Sequence, residues 1–416
     1  MAGQAARASS LFSITAIVVS MTFVAIGNGI MLAYVPFVLT RAGAPEWMAG
    51  AAVTAIAFGG LIGCVICGPV IRRVGHARAF SCSMALVLVA AVLVAFGLNP
   101  LLWVLARGLY GVAGNANFII AQSWLNHVSD NRWRGRAMSF FYMAYVLGLG
   151  LGAWIFGQMP AEGNLAPLVT ILMTTLALLP IGLTRLPNPP APARVSVDFA
   201  MAWRNSPVAL IGVLAAGGLS MVVQGFTPIY AATNGVGQAD VALLMFVMQF
   251  GLLFVQYPLG TLSDRIDRRI VLIGTCLLVA GAGIAALFVT FQAFVLLMLV
   301  FAVWAGAVES VYSISNAHAN DRTEPEDFVP LASTLLVAWS AAATIVPLGV
   351  TALTPAFGSQ TFIYAVIAVA LAYVAFVALR LRRAEAIPPA LREGFELRSA
   401  QVPNAGALVE GEPPRD

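Results

Sequence analysis

The sequence predicts an all-α membrane protein in which twelve transmembrane helices form two pseudo-symmetric six-helix bundles. Three observations carry this prediction. Hydrophobic residues make up 60% of the 416-residue chain and the mean hydropathy is +0.90, values far outside those of a soluble domain. Apolar runs of 20 or more residues recur from one end to the other. The two halves of the chain also repeat a charged loop.

The apolar runs define the elements in order along the chain. Each run is long enough to cross a hydrocarbon core of ~30 Å as an α-helix. The first run is too long for a signal peptide and lacks a small-residue cleavage pattern, so it is predicted to be the first spanning helix. The twelve predicted spans cover residues 11–39, 47–71, 77–98, 100–126, 136–158, 165–184, 207–232, 239–262, 270–290, 292–318, 328–354 and 359–381.

One long polar break interrupts the series, between the sixth and seventh spans. It contains a proline cluster, which predicts an extended linker. After the last span the chain is polar and rich in proline, a composition typical of disorder. The predicted organisation is an N-terminus (1–10), an N-terminal bundle (11–184), a linker (185–206), a C-terminal bundle (207–381) and a disordered tail (382–416).

The basic residues predict the orientation in the membrane. All 22 of them are arginine. With a cytoplasmic N-terminus, 20 of the 22 lie on the cytoplasmic side, as the positive-inside rule requires. The linker, the tail and both termini are therefore predicted to be cytoplasmic. The absence of lysine also excludes a Walker A phosphate site, a Schiff-base lysine and a Ser–Lys dyad.

A charged decapeptide, GTLSDRIDRR, starts at Gly260 and separates the eighth and ninth spans. A related segment, GPVIRRVGHAR, lies 192 residues earlier, between the second and third spans. This correspondence predicts that the two halves arose by duplication. The aligned positions are Gly68 with Gly260, Arg72 with Asp264, Arg73 with Arg265, and His76 with Arg268.

These two loops resemble the signature loop of the major facilitator superfamily, Gly-x-x-x-Asp-Arg-x-Gly-Arg-Arg. The second loop matches it closely, with Asp267 where glycine usually stands. The first loop keeps Gly68, Arg73 and Gly75 but carries Arg72 in place of the usual aspartate. This chain therefore departs from the family pattern at a charged position in each loop.

The resemblance extends over residues 10–381. Arg107-x-x-x-Gly111 is similar to the arginine motif of the family's fourth helix. Gln122 stands where members of a narrower group, the YcaD-like bacterial transporters, often have glutamate. The segments that resemble this group are RRVGHARAF (72–80), SWLNHVSDNRWRGRAMS (123–139) and YSISNAHANDR (312–322).

The resemblance implies a secondary transporter of a small-molecule substrate. It implies twelve helices, cytoplasmic termini, the bacterial inner membrane and alternating access between the two sides. It does not name a substrate. The fifth span reads GLGLGAWIFG and lacks the Gly-Pro motif typical of many drug–proton antiporters, which argues against drug efflux.

Two charged residues lie deep inside the predicted spans, Arg107 and Glu309. A charge within the membrane is costly and is a functional candidate by default. Counted along the helices, the two residues differ in depth by about 15 Å, so they are not expected to pair. Asn28 and Gln224 lie near the depth of Arg107. Arg107 is predicted either to anchor an anionic or polar substrate or to form a structural contact with Asn28.

Glu309 has no basic residue in its span or near its depth. It is predicted to be the proton-coupling group, with a neutral carboxyl hydrogen-bonded to a neighbouring helix as the alternative. The predicted cavity residues are Asn28, Arg107, Tyr110, Asn117, Gln224 and Tyr312. Packing or a helix–helix hydrogen bond is the commoner role for Asn115, Tyr142, Tyr145, Tyr230, Gln249, Gln256, Asn316 and Trp339.

The charged loops predict a gate on the cytoplasmic face. The loop after the second span has a net charge of +3 and the loop after the tenth a net charge of −3. By resemblance, Arg72 would face Glu326 and Asp327, and Asp264 would face the start of the fifth span. The alternative is ordinary positive-inside topology with a solvated acidic loop. The predicted gate residues are Gly68, Arg72, Arg73, Arg136, Gly260, Asp264, Arg265, Arg268, Glu326 and Asp327.

The leading hypothesis is a monomeric secondary active transporter driven by protons, with no cofactor, metal or nucleic-acid partner. A membrane enzyme would need a polar catalytic cluster at one depth. The chain offers no lysine, no paired carboxylates and no histidine that is expected to be buried. A non-transporting sensor or scaffold built on the same fold is the remaining alternative.

Overall fold

The computed structural model describes residues 2–129, 133–184, 186, 189 and 196–381. Within these residues the chain forms α-helices and two short 3₁₀ turns, and no strand occurs there. The predicted disordered tail, 382–416, and most of the predicted linker lie outside the described residues.

The helices of the first half are α1 (Ala2–Arg41), α2 (Glu46–Val74), α3 (His76–Ala95), α4 (Pro100–Val128), α5 (Arg134–Gly157) and α6 (Leu165–Leu183). A short helix follows, α7 (Phe199–Asn205). The helices of the second half are α8 (Pro207–Thr233), α9 (Gln238–Arg265), α10 (Arg268–Phe288), α11 (Phe294–Asn320), α12 (Phe328–Phe357) and α13 (Thr361–Leu381).

The twelve long helices correspond one to one with the predicted spans. Eleven helices of the described part are long and apolar enough to cross a membrane. The twelfth, α4, is 29 residues long but more polar, because it carries Arg107, Asn115, Asn117 and Gln122. It packs along α2 and α3 inside its bundle, where those polar groups are shielded from lipid.

The packing of the helices repeats between the two halves. In the first half α2 packs on α4, α1 on α5, and α3 on α6. The corresponding pairs of the second half, α9 on α11, α8 on α12, and α10 on α13, make the same contacts. Between the halves, α2 packs against α12 and α5 against α9. The two-bundle architecture is thereby confirmed.

Two glycines show the duplication at the level of single atoms. Gly59 in α2 and Gly251 in α9 are 192 residues apart, the same offset as the charged loops. A Cβ added to Gly59 would overlap the carbonyl oxygen of Gly108, and one added to Gly251 would overlap that of Ala302. Both halves therefore need a residue without a side chain at this point, where two helices approach closely.

The predicted extended linker ends in a helix that the sequence did not reveal. Asp198 begins α7, since its carboxylate oxygen accepts the backbone N–H of Met201 at 2.8 Å. Met201 and Ala202 are buried against the second bundle, and this burial explains why so short a helix forms. Ser206 then caps α8, with Pro207 at its first position.

Successive long helices run in opposite directions, so their ends collect at two faces of the molecule. One face holds the loops that follow α2, α4, α9 and α11, together with α7 and the end of α13. We call it the arginine-rich face, because Arg72, Arg73, Arg268, Arg269 and Arg380 lie there. The opposite face carries the turn after α1, with Arg41 at its start.

Candidate functional site

A central cavity of about 90 Å³ lies between the two bundles. Helices α1, α2, α4 and α5 line it from one side, and α8 and α12 line it from the other. Four of the six predicted cavity residues line this space: Asn28, Arg107, Tyr110 and Gln224. Residues from both halves thus converge on one site near the middle of the molecule.

Among the described residues that line the cavity, Arg107 is the one cation, and its side chain is buried with 4% exposure. Its guanidinium lies over the ring of Tyr110, 5.4 Å from the ring centroid. In the described part of the chain no carboxylate forms an ion pair with Arg107. The amide oxygen of Asn28 has no hydrogen-bond partner there, so the predicted contact from Arg107 to that oxygen is not formed.

Polar atoms without a partner among the described residues surround this arginine. Asn28 contributes its amide oxygen, Tyr110 its hydroxyl, Gln224 its Nε2 and Trp339 its Nε1. These atoms come from four different helices, and all four residues line the same cavity. Buried polar groups are normally satisfied, because each unsatisfied one costs about 1–3 kcal/mol. Their convergence indicates a site that is completed by a hydrogen-bonding solute or by water.

Gln224 is held in its orientation by a second amide. Gln249 in α9 donates from Nε2 to the Oε1 of Gln224 at 3.1 Å. With its oxygen occupied, Gln224 keeps an NH₂ group that has no partner among the described residues. Two residues that line the cavity from the second half, Gln224 and Trp339, therefore carry hydrogen-bond donors without a described partner.

Glu309 lies behind the cavity wall and is buried with 1% exposure. Ser220 in α8 lines the cavity and donates its hydroxyl to Oε1 of Glu309 at 2.6 Å. The carboxyl group is thus one side chain away from the central space. The hydrogen bond to a neighbouring helix is the geometry of the structural alternative, but the serine in between also connects the acid to the cavity.

Two predicted cavity residues lie elsewhere. Asn117 is buried against α3, where its amide oxygen accepts from Ser83 and its NH₂ group contacts the sulfur of Met84 at 3.2 Å. Tyr312 is buried within the second bundle and does not line the cavity. In the place of these two residues, the cavity is lined by Asn115, Tyr145, Ser220 and Trp339.

For three of these four residues the sequence favoured a packing role, and Ser220 was not predicted at all. A signal for Ser220 was present, since it precedes Gln224 by four residues and therefore shares its helix face. The expectation of no buried histidine was also wrong. His76 is buried and bonded to Ser123 at 2.8 Å, and His318 is buried at the end of α11.

The charges of the second signature loop form a network within their own half. Arg268, one of the predicted cytoplasmic gate residues, is buried. Its Nε lies 2.6 Å from Asp321 at the end of α11, and its Nη1 lies 3.4 Å from Asp264. Ser263 accepts a further hydrogen bond from Nη1 at 3.1 Å. Arg268 thereby ties the loop between α9 and α10 to α11.

Asp267, which replaces the family's usual glycine, has a structural role in the same loop. Its carboxylate accepts from the backbone N–H of Arg269 at 2.9 Å and pairs with the guanidinium of Arg269 at 2.7 Å. Burial raises the pKa of Asp267, but the hydrogen bonds from Arg269 outweigh it and hold the pKa below the usual value. An ionised Asp267 therefore caps the start of α10.

The remaining predicted gate residues lie on the arginine-rich face. Gly260 is buried in α9 and Gly68 is half-buried in α2, where it lies beside the side chain of Arg72. The guanidinium of Arg136 stacks 4.8 Å from the ring centroid of Trp133. Asp327 is half-buried at the start of α12. The exposed members of the set are Arg72, Arg73, Arg136, Arg265 and Glu326.

Substitution of Arg268 by Gln or of Asp321 by Asn is expected to lower the thermal unfolding midpoint of the purified protein markedly. Each change leaves a buried charge without its principal partner, which costs about 3–5 kcal/mol. The unfolding midpoint of the double variant should be little lower than that of either single variant, because the second change removes the unpaired charge that the first one leaves. The measurement is thermal unfolding in detergent for all three proteins.

The matched control for these single and double variants is Arg265→Gln, which removes an exposed arginine from the same segment. A surface substitution of this kind is expected to change stability by less than about 0.5 kcal/mol. Additive losses from Arg268→Gln and Asp321→Asn would show that the two side chains act independently and would contradict the network.

The comparison with known families agrees with this architecture. The sequence profile of the Major Facilitator Superfamily matches residues 15–232 and again residues 208–409. The two matches together cover nearly the whole chain and divide it at α8. The chain belongs to the major facilitator superfamily.

Curated members of the superfamily with similar sequences come from Salmonella. The "Uncharacterized MFS-type transporter YcaD" of Salmonella dublin is 25% identical over 318 residues, which is 75% of this chain and 81% of that protein. The protein of the same name from Salmonella typhimurium is also 25% identical over the same coverage. These relatives agree with the resemblance to the YcaD-like group and name no substrate.

Solved structures of superfamily transporters share the fold. A single-residue mutant of the nucleoside transporter NupG covers 88% of this chain and 99% of its own with a TM-score of 0.72 and 11% identity. A bacterial homologue of the human lysosomal transporter Spinster, inward-facing and unoccupied, has a TM-score of 0.67 and 14% identity over 89% of this chain and 95% of its own. The family match and the apolar helices together make this chain a multi-pass membrane protein of a solute-transporter family.

Proposed function

We propose that this protein is a proton-coupled secondary transporter that moves a small organic anion across the bacterial inner membrane by alternating access. The observation that carries the proposal is the central cavity. There a buried arginine, with no acidic partner in the described part of the chain, is surrounded by unsatisfied polar atoms from both halves.

The chemistry of the cavity favours an anion. Arg107 supplies a permanent positive charge, and the side chains of Tyr110, Gln224 and Trp339 supply hydrogen-bond donors. A solute that matches this wall has a carboxylate or a similar acceptor group for the arginine and further oxygens for the neutral donors. Asn28 adds one acceptor, which suits a hydroxyl or amide N–H on the same solute.

Glu309 is the group that we assign to proton coupling. Among the described acids it is the one joined to the cavity wall, because Ser220 alone separates it from the lining. A buried carboxyl favours its protonated form unless a charge or a strong hydrogen bond stabilises the anion. A proton on Glu309 would therefore be gained from one side of the membrane and released to the other as the surroundings of Ser220 change.

The small size of the cavity in this structure supports alternating access. Pockets for drug-sized ligands are typically about 300–1,000 Å³, whereas the central cavity measures about 90 Å³. An organic anion can therefore enter and leave only when the two bundles move apart. The contacts of α2 with α12 and of α5 with α9 are the places where the bundles would separate.

The arginine-rich face is cytoplasmic in this proposal, because arginine accumulates on the cytoplasmic side of membrane proteins. The gate lies on the same face. Arg72 extends from α2, which packs against α12, and Glu326 and Asp327 directly precede α12. Asp264 lies at the end of α9, which packs against α5, and Arg268 holds it in place. These charges would hold the bundles together while the cavity opens to the outside.

Reversal of the charge at Asp264 to arginine is expected to open the cavity toward the cytoplasm. The change puts a positive charge in place of the carboxylate that is proposed to face Arg136 at the start of α5, and it also removes the pair with Arg268. A bias of ~1 kcal/mol in a two-state equilibrium changes populations about fivefold. The measurement is the labelling rate of a cysteine introduced as Met221→Cys, with the native cysteines replaced, by an impermeant maleimide in inside-out vesicles.

The control for the gate is Glu324→Arg, which reverses an exposed acid on the same face. It should leave the labelling rate near that of the parent. Equal labelling in the parent and in the Asp264→Arg variant would contradict the gate. Equal acceleration by the Glu324→Arg variant would assign the effect to surface charge alone.

The decisive test of the function begins with a ligand-stabilisation screen on the purified protein. Organic acids, sugars, amino acids and amines are compared at matched ionic strength, and a ligand at 100 times its Kd stabilises by about 2.7 kcal/mol. We expect the stabilising compounds to be anions. Stabilisation by neutral solutes or amines alone would overturn the substrate class, and failure of the best anion to exchange by counterflow in proteoliposomes would favour the non-transporting sensor.

A further inference from the structure

A second pocket, of about 70 Å³, lies at the arginine-rich face of the second bundle, separate from the central cavity. Its wall combines the junction of α7 and α8 with the start of α10 and the ends of α11 and α13. The charged and titratable residues that line it are Arg269, His318, Arg322 and Arg380. Among the described residues of its lining, none is acidic.

The positive charge of this pocket is only partly balanced by its surroundings. Asp267 pairs with Arg269, and Asp321 pairs with Arg268 behind the pocket. Arg380 forms no ion pair with a described carboxylate, and its guanidinium instead stacks on aromatic rings. Burial, followed by the nearby guanidinium of Arg269, lowers the pKa of Arg322 from its usual value and outweighs the opposing effects of Asp267 and Asp321. The arginines therefore exceed their counter-charges at this wall.

The N-terminus of α8 adds to the same electrostatic field. Ser206 and Pro207 begin this 27-residue helix and both line the pocket. A helix N-terminus carries about half a positive charge and favours anions nearby. The helix dipole and the arginines therefore both favour an anion in this pocket.

The neighbours of Arg380 place the pocket beside the membrane interface. Its guanidinium lies 5.2 Å from the ring centroid of Trp203 and 5.7 Å from that of Phe376. Trp203 is 43% exposed on α7, and Phe199 of the same helix is also exposed. Exposed tryptophan next to arginine at the end of a spanning helix is typical of the level of the lipid headgroups.

We propose that this pocket binds a phosphate group, either that of an anionic phospholipid headgroup or a free phosphate ion. The bidentate fork of arginine matches phosphate oxygens, and basic pockets between helices are suited to anionic headgroups. Arg322 and Arg380 hold the phosphate, and the rings of Trp203 and Phe376 border the path of the acyl chains. The site is independent of the substrate cavity, because the two share no described residue.

The test uses the full-length protein purified in detergent and follows thermal unfolding at matched ionic strength. Three probes are titrated: short-chain phosphatidylglycerol, phosphatidylcholine of the same chain length, and inorganic phosphate. We expect phosphatidylglycerol or inorganic phosphate to raise the unfolding midpoint and phosphatidylcholine to leave it unchanged. A response to phosphatidylglycerol alone identifies a lipid site, and an equal response to inorganic phosphate identifies a site for the free ion.

Two pocket variants, Arg380→Gln and Arg322→Gln, and one matched control, Arg204→Gln, complete the design. Arg204 is an exposed arginine on α7 that does not line the pocket. Each pocket variant should raise the apparent Kd for the effective probe about tenfold or more, since a hydrogen bond to a charged group contributes ~1.5–3 kcal/mol. Arg204→Gln should leave the Kd within about twofold, because surface charges contribute little.

Two outcomes would overturn the proposal. Equal weakening by Arg204→Gln and by the pocket variants would assign the effect to general surface charge. Equal stabilisation of the wild-type protein by anionic phosphatidylglycerol and zwitterionic phosphatidylcholine would show that the pocket does not select an anionic phosphate group. Two separate arginines are tested so that a folding defect in one variant, visible as a lowered midpoint without ligand, does not decide the result.

Discussion

Replacement of Arg107 by glutamine is expected to weaken strongly the binding and transport of the anion found by the stabilisation screen. Arg107 is the cation on the described wall of the central cavity, and no described carboxylate neutralises it. Loss of one partner of a buried, hydrogen-bonded charge pair costs about 2–5 kcal/mol. At ~1.4 kcal/mol for each factor of ten, affinity should fall about thirtyfold to several thousandfold.

Two further variants make this result specific. Arg107→Lys keeps the charge but loses the bidentate geometry, so it should bind the anion more weakly than wild type and more tightly than Arg107→Gln. Arg78→Gln removes an exposed arginine on α3 and should bind as wild type does. The measurement is a titration by thermal stabilisation, followed by counterflow. Retained affinity in Arg107→Gln would exclude the anchoring role.

Substitution of Glu309 by glutamine is expected to separate exchange from proton-driven accumulation. The amide oxygen of glutamine can still accept the hydrogen bond from Ser220, so the packing of α8 on α11 should be preserved. The variant cannot take up a proton at this position. Counterflow should therefore continue, whereas accumulation in response to a pH gradient should stop. With one proton per solute, a gradient of one pH unit supports about tenfold accumulation, so wild type and variant are readily distinguished.

Glu162→Gln provides the control, because Glu162 is exposed on the face opposite the arginine-rich face. It should accumulate the solute as wild type does. Unchanged accumulation in Glu309→Gln would show that this carboxyl has a structural role only. Loss of both counterflow and thermal stability in Glu309→Gln would also contradict the assignment, because it would make the acid a packing element of the second bundle.

The depth of a residue in the membrane could be predicted from the sequence, but the direction of its side chain could not. A helix rises by about 1.5 Å per residue, so counting along the spans placed Asn28, Gln224 and Arg107 at one level. All three line the cavity. Asn115 and Asn117 show the limit. Side chains that are two residues apart on a helix point in directions that differ by about 200° around its axis. Asn115 therefore lines the cavity, whereas Asn117 packs on α3.

Charge partners were the least predictable feature. Charge patterning and family resemblance suggested that the signature loops meet the opposite bundle. The structure shows that Arg268 is buried and paired with Asp321 of its own bundle. Asp321 lies 53 residues from Arg268, and nothing local in the sequence connects them. Ion pairs of this kind depend on how the ends of helices meet, which is set by packing over the whole bundle.

A helical membrane protein with twelve spans, a duplicated loop and two charges within the membrane could be predicted from the sequence alone. Hydrophobicity, length and the cost of charge in lipid act locally along the chain, so they can be read in order. Three features became visible in the folded chain: Ser220 connects Glu309 to the cavity, Gln249 bonds to Gln224, and basic residues of α10, α11 and α13 enclose a second pocket. Each of these depends on the rotation of one helix against another, and that rotation is set by close packing at glycines such as Gly59 and Gly251.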